Sequence, residues 1–368
     1  RHQSRGRRRA DKSRAVLKRA ENSHRPFRRR VVGKAQQLTP RRPHRPLKRF
    51  TFQRDTAFQL ALRLTMRRIA ATLAVVVALL FSAGSAWADF EDGMAAYWRG
   101  DYATAFREFL PFAERGDVDA QYIVGNMYDN GEGVPENDSE AVKWYLKAAE
   151  QGLAVAQHDL GVMYEHGHGV PENDAEAVTW YRQAAVQGLA LAQKALGVMY
   201  DEGWGVPEND SEAVKWYRKA AKQGNADSQH NLGVMYQNGW GISQNAAEAV
   251  KWYRKAAEQG DAKSQYNLGT MYADGEGVPE NNTEAVKWYL QAAVQGFASA
   301  QSNLGVMYYQ GWGVPRDYVK SHMWLSLAKA HGDGIAAGNL DFLQSQMTPA
   351  QIGKAQALAT EWWEKIDN

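Results

Sequence analysis

Four side chains in one short stretch, His158, Glu165, His166 and His168, have the donor types of a zinc site. Thirty-six residues on, the last two positions hold Glu202 and Trp204, and after another thirty-six they hold Asn238 and Trp240. The donors are not kept, so the stretch reads as a loop substitution and no metal site is expected. Acidic loops at Glu136-Asn137-Asp138, Glu172-Asn173-Asp174 and Glu208-Asn209-Asp210 offer oxygens, but calcium needs six or more, and helix capping accounts for each Asn. The chain has no G-x-S-x-G, no Walker loop and no H-E-x-x-H. Glycine pairs such as Gly203-Trp204-Gly205 lack the strand–helix context of a nucleotide site. With no cysteine, thiol catalysis and thiolate ligation are excluded. The expectation is no catalytic residue and no cofactor.

What recurs is more informative. Leu160-Gly161-Val162-Met163-Tyr164 returns at Leu196–Tyr200, Leu232–Tyr236 and Leu304–Tyr308, with near copies at Val124–Tyr128 and Leu268–Tyr272. Ala-Val-x-Trp-Tyr runs from Ala141, Ala177, Ala213, Ala249 and Ala285, each 36 residues after the last. Each unit reads as helix, loop, helix. Ala156, Leu160, Met163 and Tyr164 share one apolar face, and the helix stops at Gly167-x-Gly169-Val170-Pro171. The second helix opens on Asn-x-x-Glu at Asn137, Asn173, Asn209, Asn245 and Asn281, the form of a capping box in which the Glu reaches back. It ends at Gly152, Gly188, Gly224, Gly260 or Gly296. The tryptophan series Trp144, Trp180, Trp216, Trp252 and Trp288 is expected to form the core, with Ala-Ala pairs bringing helices close. Thr348-Pro349-Ala350-Gln351 starts a final helix with an apolar stripe at Ile352, Ala355, Leu358, Trp362 and Ile366, the covering end that a stacked array requires.

Some positions change while this frame stays fixed. The loop site between the paired glycines holds Glu132, His168, Trp204, Trp240, Glu276 and Trp312. Trp204, Trp240 and Trp312 are candidate contact anchors, since the fold accepts Glu or His there, although packing on the next repeat would also explain them. On the first helix, Asp159, Ala195, Asn231, Asn267 and Asn303 vary in the same way. If that helix lines an inner curve, Asn231, Asn267 and Asn303 offer amides to a bound peptide.

The combined pattern A-x-x-x-L-G-x-x-Y-x-x-G-x-G-V-P then A-V-x-W-Y-x-x-A-A-x-Q-G resembles the Sel1-like repeat family, relatives of the tetratricopeptide repeats. It covers about 120–313 closely and continues more loosely to Gly332. The resemblance implies an all-α fold, a right-handed α-solenoid of antiparallel helix pairs with a C-terminal capping helix. It also implies an adaptor that binds a protein or peptide on its surface. Two other functions stay open: binding of envelope glycan or peptidoglycan through the three tryptophans, and the β-lactam hydrolysis linked to cysteine-rich members. The latter members depend on regular disulfides, which this chain cannot form.

Charge divides the chain. Residues 1–65 carry 21 basic and 3 acidic side chains, whereas 89–368 carry 21 and 38, a net of −17. Between them, Met66-Arg67-Arg68, the apolar run Ile69–Phe81 and Ala86-Trp87-Ala88 have the three parts of a secretory signal peptide. An apolar run of that length spans about 20 Å, short of a bilayer core of roughly 30 Å. The reading is therefore a basic segment 1–65, either disordered or upstream of the true start and in both cases outside the fold, and a signal peptide 66–88. An N-terminal helix pair over 89–119, about six repeats over 120–335 and capping helices over 336–368 follow. The mature chain is expected in the periplasm or secreted, without a stable membrane span, and its acidity argues against nucleic acid and for a partner with basic patches. N-terminal sequencing of the exported product should begin at Asp89; an earlier start contradicts this cleavage site.

Overall fold

The computed structural model describes residues 86–366; the basic segment 1–65 and most of the signal-peptide assignment lie outside the described residues. The described residues form sixteen helices and no strand. They fall into two compact units, 86–245 and 246–366.

The first unit opens with α1 (Ala86–Arg99) and α2 (Tyr102–Glu114). Then come α3 (Val118–Asn130), α4 (Asp138–Glu150), α5 (Ala154–His166), α6 (Asp174–Val186), α7 (Ala190–Glu202), α8 (Asp210–Lys222) and α9 (Ala226–Asn238). The second unit holds α10 (Ala246–Glu258), α11 (Ala262–Asp274), α12 (Asn282–Val294), α13 (Ala298–Gln310), α14 (Tyr318–Ala330), α15 (Ala336–Gln344) and α16 (Pro349–Ile366). Odd-numbered helices from α3 to α13 are the first, or A, helices of the repeats. Their partners α4 to α14 are the B helices. None of the described helices is long and apolar enough to cross a membrane.

The B helices start as expected in one half of the capping box. The side-chain oxygen of Asn137 accepts from the Glu140 amide at 3.1 Å, and Asn173, Asn209 and Asn281 cap in the same way. The reach-back by Glu is not how the other half is filled. The Asn137 amide instead donates to the Tyr128 carbonyl at 2.8 Å, tying the loop to the A helix. Glu140 is then free to pair forward with Lys143 at 2.6 Å, as Glu212 does with Lys215.

The core corrects the expectation for the tryptophans. Tyr145, Tyr181, Tyr217, Tyr253 and Tyr289 are fully buried, while Trp144 is nearly buried and Trp180, Trp216, Trp252 and Trp288 only half so. Neighbouring residues on a helix point about 100° apart, so only one of each Trp-Tyr pair can aim straight between the helices. Tyrosine takes that direction. Its ring lies against a glycine of the A helix: a Cβ on Gly161 would sit 2.6 Å from the Tyr181 ring, and Gly125, Gly197 and Gly269 stand likewise to Tyr145, Tyr217 and Tyr289. The tryptophans flank this contact, and three of them carry lysine ammonium groups on their rings, Lys147 over Trp144 at 3.6 Å, Lys219 over Trp216 at 3.8 Å and Lys255 over Trp252 at 4.4 Å.

Successive repeats are joined by backbone and amide contacts. Gly169 packs on the start of α4, where a Cβ would lie 2.4 Å from the Asp138 carbonyl. Gln187 at the end of α6 reaches back one repeat, donating to the Gly152 carbonyl at 3.0 Å and to Gln157 Oε1 at 2.8 Å. Gln157 in turn donates to the Ala149 carbonyl at 3.0 Å. The buried Gln157 amide helps fix the step between repeats, because a slip would leave it unpaired in an apolar setting. In the second unit α16 covers α14, with Trp362 edge-on to Trp324 at 5.2 Å and Leu358 and Ala359 against the same cluster.

Gly152 and Gly169 both have positive φ, +94° and +67°, but nothing lies within 4 Å of a Cβ at Gly152. Gly152→Ala should therefore cost only the left-handed backbone penalty, about 1–2 kcal/mol. Gly169→Ala adds a collision with backbone and should cost at least ~2 kcal/mol more. Urea unfolding of the two variants checks the difference; equal losses would contradict the inter-repeat contact.

Candidate functional site

Seating a tyrosine ring between A and B helices carries its hydroxyl through to the A-helix side. There it meets side chains from positions that the frame leaves free. Tyr145 donates to Asp129 on α3 at 3.2 Å, Tyr181 to Glu165 on α5 at 2.7 Å and Tyr217 to Asp201 on α7 at 3.3 Å. A second set of tyrosines adds to the row: Tyr97 donates to Glu132 at 2.8 Å and Tyr122 to Asp159 at 2.9 Å. The other Asp159 oxygen lies 2.8 Å from His158 Nδ1. In the unit 86–245, then, the A-helix face is a row of carboxylates held by phenolic hydroxyls.

Burial and like charge shape its electrostatics. The Asp129 carboxyl is pushed up to about 6, chiefly by burial, opposed by the Tyr145 hydrogen bond, with the charge of Asp159 raising it further. The hydroxyls of Tyr122, Tyr145 and Tyr217 are held well above the ordinary phenol range, first by burial and then by the carboxylates beside them. They stay protonated and donate. The row is an acceptor surface of negative potential, suited to ammonium or guanidinium groups and to N–H donors.

The expected site residues occupy different places. Trp204 is half-buried against the cluster that contains Tyr181 and Met199, and Trp312 against the one containing Tyr289 and Met307. Trp240 is half-buried too. Packing therefore takes part of each ring, and the three are less exposed than the sequence suggested. Asn231 lies beside the Tyr217 hydroxyl, Asn267 beside that of Tyr253, and Asn303 beside those of Tyr266 and Tyr289. Asn303 is a correction, since it is 7% exposed and its buried Nδ2 makes no hydrogen bond. The asparagine position faces the hydroxyl of the preceding repeat's tyrosine, so its amide turns toward the core. The candidate zinc donors also part company. His158 pairs with Asp159, the His166 and His168 rings stand 5.7 Å apart, and no His/Asp/Glu group among the described residues is placed to hold a metal.

Sequence reasoning missed Asp129 and Asp201, and named Glu165 only within a stretch where no metal site was expected. The signal was available. The residue sixteen before each core tyrosine runs Asp129, Glu165, Asp201, Gln237, Ala273, varying as freely as the positions that were singled out.

With fold and face described, comparison with known proteins gives the family. The Sel1 repeat profile matches six consecutive repeats, 118–153, 154–189, 190–225, 226–261, 262–297 and 298–333. The chain belongs to the Sel1 repeat family, whose repeats form paired-helix solenoids and generally serve as non-catalytic scaffolds for protein interaction. A Sel1 repeat protein from Oxalobacter formigenes is similar, with 36% identity over 65% of this chain and 96% of that one, and a TM-score of 0.59. A protective antigen of uropathogenic Escherichia coli strains with the same type of fold shares 28% identity over 77% of this chain and 93% of that one, TM-score 0.43. No curated protein matches.

Because the folded protein holds the Asp129 proton up to about pH 6, while an unfolded aspartate releases it near 4, ionisation of Asp129 works against folding. The contribution of the protonated form is complete below pH 4 and is lost as pH rises through about 6. Asp129→Asn keeps an acceptor for Tyr145 without the charge. From pH 4 to pH 7 the stability of the variant should rise relative to wild type by on the order of 2 kcal/mol, read from urea unfolding at each pH. A difference independent of pH would contradict this assignment.

Proposed function

We propose that the chain is an exported adaptor, in the periplasm or secreted, whose A-helix face binds a basic protein or peptide segment. Support comes from the row Asp129, Asp159, Glu165 and Asp201, held by the hydroxyls of buried tyrosines on a face where the repeats differ from one another. A net charge of −17 over residues 89–368 adds long-range attraction for such a segment. Trp204, Trp240 and Trp312, each partly accessible beside its glycines, supply apolar contact at the loop edge. Export rests on the signal-peptide pattern of residues 66–88.

The test compares wild type with Asp129→Asn/Asp159→Asn/Glu165→Gln and with Trp204→Ala/Trp240→Ala/Trp312→Ala in pull-downs from envelope extract. The carboxylate variant should lose its protein partner, with a drop of tenfold or more in recovery, and wild-type binding should weaken with salt. Retention on a cell-wall matrix that is lost in the tryptophan variant would instead point to glycan binding. Turnover of a β-lactam above background would overturn the non-catalytic reading.

A further inference from the structure

The B helices give an internal control, because five of them occupy equivalent places. Four outward positions are Lys143, Leu146, Lys147 and Glu150 in α4, and Thr179, Arg182, Gln183 and Val186 in α6. In α10 they are Lys251, Arg254, Lys255 and Glu258, and in α12 Lys287, Leu290, Gln291 and Val294. Only α8 has a cation at all four: Lys215, Arg218, Lys219 and Lys222. The fold does not require this. Cations near a helix C-terminus interact well with the helix dipole, yet the other copies end on Glu150, Val186, Glu258 and Val294 in the same place.

The spacing i, i+3, i+4, i+7 puts the four on one side of α8, over about 10 Å of helix. They line a groove of about 270 Å³ together with Trp216 and Glu212. Within it, Lys219 rests on the Trp216 ring, Lys215 pairs with Glu212 at 2.6 Å and Arg218 donates to the Tyr236 hydroxyl at 3.3 Å. One carboxylate thus stands against four cations. Lys215, Lys219 and Lys222 are exposed.

We propose that this outer face of α8 docks an acidic segment of a partner protein, a helix presenting carboxylates at the complementary i, i+3, i+4, i+7 spacing. Charge complementarity argues for the occupant: a narrow basic ridge within the acidic stretch 89–368 selects discrete carboxylates, and the half-buried Trp216 gives an apolar floor for their stems. Together with the carboxylate row, the unit 86–245 then carries two binding faces of opposite sign, which lets one adaptor bridge two partners.

The probe is an acetylated 13-residue helical peptide with glutamates at that spacing, added to the full chain at low salt. The control variant Lys215→Thr/Lys219→Gln/Lys222→Val carries the residues that α6 has at these positions, so it is expected to fold, checked by its thermal unfolding. Peptide affinity should fall at least tenfold in the variant. Carbodiimide, which joins an amine to a carboxylate directly, should link the wild-type peptide to Lys215, Lys219 or Lys222 by mass spectrometry. Unchanged affinity, or cross-links confined to other lysines such as those of residues 1–65, overturns the proposal. So does binding of phosphatidylglycerol vesicles in preference to the peptide, which would make the ridge a lipid contact, or self-association that vanishes in the variant, which would make the occupant a second copy.

Discussion

Four of the six repeats are built on one contact, a tyrosine ring lying directly on a helical glycine, and in the last repeat Leu325 takes the ring's place on Gly305. Gly161 allows the backbone of α5 to approach the Tyr181 ring more closely than any side chain would permit, and the same arrangement recurs at Gly125, Gly197 and Gly269. Glycine within a helix costs roughly 1 kcal/mol relative to alanine, so its recurrence needs a compensating gain. That gain is the burial of a whole aromatic ring, gross some 4–6 kcal/mol at about 25 cal/mol/Å². Inter-helix distance, the place of the flanking tryptophan and the direction of the tyrosine hydroxyl all follow from it.

The same contact links fold to function. A phenol whose ring is buried between the helices brings its hydroxyl to the A-helix face as a donor, where Asp129, Glu165 and Asp201 receive it. The hydrogen bond holds each carboxylate in one orientation without neutralising it, so the face is both charged and ordered before a partner arrives, which lowers the entropic cost of binding. In the second unit the equivalent position becomes Ala273 and then Tyr309, and Tyr289 turns to Thr270 instead. Charge on this face is thus a property of particular repeats, set by residues the core does not constrain.

The periodic features were legible in the sequence: the 36-residue step, the helix–loop–helix unit and the asparagine caps all repeat, and repetition exposes what the backbone requires, while the single closing helix showed in its own start signal and apolar stripe. Choosing between Trp and Tyr for the core was not legible. Both are large, both recur, and their adjacent positions differ only by the angle at which each leaves the helix. Nor could a linear pattern show that Asn303 faces a hydroxyl while Asp129 reaches one, because the hydroxyl arrives from another helix sixteen residues further along. The site was hidden for the same reason. Asp129, Glu165 and Asp201 vary from repeat to repeat, but nothing in the linear pattern ties them to the tyrosine hydroxyls that organise them.

The glycine–tyrosine contact is tested most directly by a double-mutant cycle on Gly161 and Tyr181, measured by equilibrium unfolding. With the ring in place, Gly161→Ala forces a displacement and should destabilise by about 2–4 kcal/mol. In a Tyr181→Ala background the collision is gone and only the helix preference for alanine remains, so the same change should become stabilising, by up to ~1 kcal/mol. A reversal of sign is the expected result. If Gly161→Ala has the same effect in both backgrounds, the ring does not lie on the glycine, and the placement of the hydroxyl row fails with it.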